Sequence, residues 1–229
     1  MQPPVDRAEL RRQLAHVRWI GGAPCAGKSS IVTLLAERYE LAVYRCDEHF
    51  AAHTQRVEPS RQPTLHQISA MSWDEIWMQP VATQVENQFR LYREEFSMIV
   101  EDLLALPRSQ PLLAEGTALL PECVAALLEQ PDRAMWIVPT ATFQQTHYRE
   151  RGAWVQDVLN QCVDPDEAWR RWMERDLRFA HTIAQDAATR GLSVLWTDGS
   201  RSIAASAALV AAQLRIDTGT PSRVAQRSS

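Results

Sequence analysis

Short, almost unbroken apolar runs alternate along this chain with longer stretches in which apolar positions recur every three or four residues. The runs at 17–21, 42–46, 111–115, 134–138 and 192–197 read as strands, and the stretches between them read as helices. Such alternation predicts an α/β protein with a parallel sheet, and strands apolar on both sides predict helices covering both sheet faces. The stretch 81–106 reads as one long helix, with Val85, Phe89, Tyr92 and Phe96 at helical spacing and turned inward. Trp73, Trp77, Trp169 and Trp172 read as core, with an interface as the alternative. The segment 48–72, with His49, His53, Arg56, Arg61 and His66, reads as a substrate-side loop. These histidines lack metal-ligand spacing and are not read as ligands.

Ligands of open parallel sheets sit at the carboxyl ends of the strands. That rule directs attention to the polar residues after each run: the loop from Gly22, then Asp47 and Glu48, Glu115 and Gly116, Thr140, and Asp198. The first is the most specific. Gly22, Ala23, Pro24, Cys25, Ala26, Gly27, Lys28 and Ser29 complete a phosphate-binding P-loop, followed by Ser30 and a helical run from Ile31 to Ala36. Glycines let the backbone fold tightly so that successive amides face the phosphates. Lys28 adds a point charge, the Ser29 hydroxyl suits Mg²⁺, and the helix starting near Lys28 aims its positive dipole end at the same place.

Composition narrows the partners. The chain has 229 residues, 45% of them hydrophobic, and shows no compositional break, which predicts one domain over 1–215 with a disordered polar tail at 216–229. A net charge of -4, with arginines interspersed among acids, argues against a nucleic-acid partner. Cys25, Cys46, Cys123 and Cys162 form no C-x-x-C pair and read as free thiols in a reducing cytoplasm. The polar, proline-broken start has no export signal. The Ala-rich run 202–214 is too short to cross a bilayer of about 30 Å and reads as a buried C-terminal helix.

The P-loop, the acidic pair Asp47 and Glu48, Glu115 with Gly116, the arginines between 149 and 178, and the turn Thr197 to Ser200 together resemble small P-loop kinases. The likeness is to the nucleotide kinase, shikimate kinase and chloramphenicol phosphotransferase type, over about 17–215. It implies a three-layer P-loop NTPase fold with a five-stranded parallel sheet in the order 2-3-1-4-5. It also implies a helical lid at about 143–178 and ATP with Mg²⁺ as donor and metal. By the same resemblance Asp47 is the catalytic carboxylate, with Glu48 as the alternative, and Glu115 aids Ser29 at the metal. Lys28, Arg171 and Arg175 act on the transferring phosphoryl group, Arg149 and Arg151 reach adenine or phosphate, and Asp198 lies beside the base. Arg171, Arg175 and Arg178 share one helix face, but i, i+4 acid partners make an ordinary solvated face the competing reading. No guanine-reading N-K-x-D sequence occurs, which favours ATP over GTP.

The function expected is therefore ATP-dependent transfer of the γ-phosphate to a hydroxyl of a small molecule, a metabolite or an antibiotic. The alternatives are a P-loop ATPase or nucleotide-dependent regulator, a nucleoside or nucleotide kinase, and a toxin-like kinase of nucleotide sugars. The acceptor and the oligomeric state stay open.

Overall fold

Alternate residues of each strand point to opposite faces of the sheet, and here both faces are covered. Val17, Trp19, Leu112, Ala114, Ala134, Trp136 and Val138 enter one apolar cluster. Their neighbours Ile20, Leu113, Met135 and Ile137 enter another. The computed structural model describes residues 6–150 and 152–216. Arg151 and all but residue 216 of the expected tail lie outside the described residues.

Among the described residues five strands form one all-parallel sheet: β1 (Val17–Gly22), β2 (Ala42–Arg45), β3 (Leu112–Glu115), β4 (Ala134–Pro139) and β5 (Ser193–Thr197), in the order β2-β3-β1-β4-β5. The predicted fold class and strand order hold. Register sets Ile20 beside Glu115 and Arg45 beside Glu115, so three strand ends meet at one edge. On one face lie α2 (Lys28–Tyr39) and, near the chain's end, the helix Ile203–Gln213. The other face is covered by α1 (Arg7–Gln13) and two long helices, Val81–Ala105 and Pro165–Thr189.

The segment expected as a loop is largely helical. After β2 the chain enters α3 (Cys46–Gln55), α4 (Pro63–Ser69) and α5 (Trp73–Trp77) before the long helix α6 (Val81–Ala105). Local chemistry explains the starts: Pro63 opens α4, and Ser72 with Glu75 forms a capping box on α5. Leu65, Leu91 and Met98, with Phe50 and Ile68, close α3, α4 and α6 into a small apolar cluster of their own.

After β3 come α7 (Pro121–Ala125) and β4. The predicted lid then comprises α8 (Ala141–Arg149), α9 (Ala153–Leu159) and the first half of α10 (Pro165–Thr189). Tyr148, Val155, Val158, Leu159, Trp172 and Met173 pack with Trp77 of α5 into a fourth cluster. The last helix, α11 (Ile203–Gln213), is capped by Ser202 and buries one stripe, Ser206, Ala207, Val210 and Ala211. Its Ile203 and Leu209 are exposed, so it is half buried where full burial was expected. No described helix is long and apolar enough to cross a membrane.

Candidate functional site

The P-loop joins β1 to α2, and its glycines serve different ends. A Cβ on Gly22 would lie 1.9 Å from the Ile137 carbonyl oxygen, and one on Gly21 would lie 2.3 Å from the Trp136 indole nitrogen. Contact with β4 demands both. Gly27 is open on that count, its nearest neighbour being Ile203 at 3.7 Å, but its φ of +81° is left-handed, and Cys25 shares that region at 56°. The alternating turn folds the loop around a cleft of about 660 Å³ lined by Pro24 to Ser30. The N-terminus of α2 has no side-chain cap, and buried Lys28 donates from Nζ to the Ala23 carbonyl at 2.8 Å. A cradle of backbone, a lysine and an uncapped helix start suits a phosphate chain.

Thr197 braces this loop from β5, its Oγ1 lying 3.1 Å from the Ala26 carbonyl and 3.2 Å from that of Val138. The sequence placed Thr197 in the turn after the fifth strand but did not point to this bracing role. Ser29 and Glu115 both line the cleft. Arg45 donates to Glu115 at 2.9 Å and, through its other nitrogen, to Thr33 at 2.9 Å. Among the described residues no three His, Cys, Asp or Glu side chains gather into a metal cluster. Hydroxyl and carboxylate oxygens beside a phosphate cradle fit Mg²⁺, which binds through one or two protein oxygens with substrate phosphates and water.

Asp47 and Glu48 sit in the first turn of α3 and not at the tip of a strand, because Cys46 turns into the helix and packs under Gly116, where a Cβ would lie 2.5 Å from the Cys46 Cβ. The turn separates the two acids. Glu48 points away, 3.5 Å from Arg45 and largely exposed, and it lines neither cavity. Asp47 lines the P-loop cleft and also a second cavity of about 650 Å³ beneath α3, α5 and α6. Asp47, Gln88, Tyr92 and Arg175 are common to both linings, so the two spaces meet there.

The second cavity has apolar walls, Phe50, Ile68, Met71, Trp73 and Trp77 among them, and a polar floor from α6. Gln84, Gln88 and Glu95 are buried on that floor. Glu95 receives the ring of fully buried His53 at 3.0 Å, and the other ring nitrogen lies 2.9 Å from Asp102. Asp102 also accepts from Tyr44 and Arg56, each at 2.9 Å. Burial opposes a charged His53, but the two carboxylates outweigh it and hold its pKa above the ordinary value. Burial raises Glu95, whereas bonds from His53, Arg56 and Tyr44 overcome burial at Asp102 and lower it.

Sequence reading missed this floor, although it left a trace. Gln84, Gln88, Leu91, Glu95 and Met98 recur at helical spacing, one residue out of step with the aromatic stripe it followed. Phe89, Tyr92 and Phe96 do pack against the main core.

The arginines divide. Arg175 reaches the seam: its guanidinium lies over the Trp77 ring at 4.6 Å, with Nε 2.6 Å from Asp176. Asp176 is fully buried and accepts from the Tyr148 hydroxyl. Trp77 in turn stacks on Trp172 at 4.2 Å, tying α5 to α10. Arg171 is outside both linings, bonded to Glu167 at 2.6 Å and to the carbonyls of Met78 and Gln79, which hold the α5–α6 junction. Arg178 pairs with Glu174 on the solvated face. Arg149 is exposed and outside the cleft, as is Asp198, whose carboxylate caps its own turn through Ser200 at 2.9 Å. The outer cleft is lined instead by Phe143, stacked on His147 at 3.8 Å, with Trp154 and Ile203 nearby.

No protein-family model and no curated protein matches this chain. A functional reading therefore rests on the residues themselves.

Proposed function

We propose that this chain is a small P-loop kinase that transfers the γ-phosphate of ATP to a hydroxyl of a small molecule seated in the second cavity. One observation carries the reading: a phosphate cradle and a half-open cavity of ligand size share Asp47 and Arg175 at their seam. A nucleotide switch or simple ATPase has no use for such a second chamber.

Phosphoryl transfer asks the protein mainly for positioning and for positive charge over the equatorial oxygens. The P-loop amides and Lys28 hold the phosphates. The acceptor's hydroxyl oxygen bonds to the γ-phosphorus while the bond from that phosphorus to the β–γ bridging oxygen breaks. The hydroxyl proton passes to the Asp47 carboxylate, and ADP keeps the bridging oxygen. Asp47 suits this place because, among the described residues, its carboxylate has no hydrogen bond or ion pair, whereas Glu48 is engaged with Arg45 outside both cavities. Arg175 is the arginine assigned to the moving phosphoryl group, and Arg171 is a positioning residue for the α5–α6 junction. Mg²⁺, held by the Ser29 hydroxyl and through water by Glu115, would neutralise charge on the phosphate oxygens.

Coupled ADP production with Mg-ATP, run with and without hydroxyl-bearing acceptors, tests the reading. Acceptor-dependent turnover is expected, and Asp47→Asn lowers kcat by about a hundredfold or more while ATP binding is retained. ADP formation that ignores every acceptor, or full activity in Asp47→Asn, refutes it.

A further inference from the structure

Among the residues lining the second cavity, the buried polar atoms without a hydrogen-bond partner are the indole nitrogen of Trp77 and Nε of Arg175, both donors, and two amide oxygens, both acceptors. The Oε1 atoms of Gln84 and Gln88 are buried and without a donor, although both side chains line the cavity and are more than nine-tenths buried. Glu95 gives only one oxygen to His53, and no other hydrogen bond to its carboxylate is formed among the described residues. Buried acceptors left unpaired are costly, and a ligand bearing N–H or O–H groups would satisfy them.

Charge points the same way. His53, Arg56 and Arg175 face Glu95, Asp102 and Asp176 in pairs, and Asp47 is left over, so one negative charge faces the cavity. Arg175 is the one cation among the described lining residues, and it is already beside Asp176. An anionic acceptor such as a nucleoside monophosphate would meet the unpaired Asp47, and Glu95 already engaged by His53, with no free counter-charge. Aromatic walls beside carboxylates favour an ammonium group, through charge and through the ring faces.

We propose that the acceptor is an amphipathic amino alcohol. Its protonated amine is held by Glu95 and the two glutamine oxygens, its apolar body lies against Trp73 and Trp77, and its hydroxyl reaches Asp47. The role of the hydroxyl rests on the phosphotransfer reading, whereas recognition of the amine does not.

The test is binding without nucleotide, read by calorimetry on the full chain, with phenylalaninol and N-acetylphenylalaninol as probes. They share the hydroxyl and the ring and differ in the charged amine. Phenylalaninol is expected to bind about tenfold or more tightly than its acetylated form, as one desolvated charge pair allows. Glu95→Gln is expected to erase that preference. Equal affinities, no binding of phenylalaninol at millimolar concentration, or a preference that survives in folded Glu95→Gln would each overturn the proposal. Should Glu95→Gln fail to fold, the wild-type ratio decides, together with Trp73→Ala at an exposed position, which is expected to weaken both probes alike. An unchanged affinity in Trp73→Ala would overturn the placement of the apolar body. ADP formation is measured separately, so amine preference without turnover refutes the kinase reading alone, and turnover of neutral alcohols without amine preference refutes this inference alone.

Discussion

At the scale of single residues, buried polar groups decide more here than surface charges do. His53 is enclosed between Glu95 and Asp102, with Arg56, Tyr44 and His49 also facing Asp102. Because its folded pKa is raised above the ordinary 6.5, its contribution to stability is complete below about pH 6.5 and is lost as pH rises through the folded value. Glu95, also raised, acts in the same sense. The melting-temperature gap between wild type and His53→Gln is therefore expected to be widest in mild acid and to shrink toward alkaline pH, as thermal scans across that range would register. Gly22 makes a second case. Its Cβ would strike the Ile137 carbonyl at 1.9 Å, inside a sheet that has no room to shift, so Gly22→Ala is expected to destabilise the fold by about 4 kcal/mol or more, measurable by urea unfolding.

At the scale of elements, α6 and α10 do the positioning. Helix α6 turns an aromatic stripe to the main core and a polar stripe to the second cavity, and α10 carries the arginines past the α5–α6 junction. Arg171 ties α10 to that junction through the Met78 and Gln79 carbonyls. Arg171→Ala removes a charge-assisted bond worth about 1–3 kcal/mol and should loosen the wall that bears Trp77. The expected kinetic signature is a raised KM for the acceptor with ATP affinity unchanged. Loss of ATP binding in that variant would restore Arg171 to the phosphates.

At the scale of the whole molecule, the parallel sheet brings the P-loop, α3 and helices α8 and α10 around one cleft, so occupancy of the cleft should stabilise the whole fold. At a hundredfold excess over Kd a ligand adds about 2.7 kcal/mol. For a chain of this size that corresponds to a rise of roughly 5–10 °C in Tm. Mg-ATP is expected to produce such a rise in wild type and not in Lys28→Ala, by differential scanning fluorimetry. A shift that persists in Lys28→Ala would move nucleotide binding away from the P-loop.

Much of this was legible from local pattern. Apolar runs bounded by polar residues marked every strand to within a residue or two, two-sided burial pointed to a parallel sheet, and the glycine spacing of residues 22–29 marked the tight loop between β1 and α2. These are properties of neighbouring residues, and short-range sterics and hydrophobic periodicity suffice to express them. The second cavity was not legible. The segment 48–72 looked like loop because its helices are short and depend on packing against α6, and the floor of Gln84, Gln88 and Glu95 drew no reading because a polar residue on a helix gives no sign of what covers it. Which of two adjacent acids faces the seam, and which of three arginines on one helix reaches it, turned on where α3 starts and on the carbonyls of a distant junction. Those are contacts between residues far apart in the chain, and only the tertiary structure decides them.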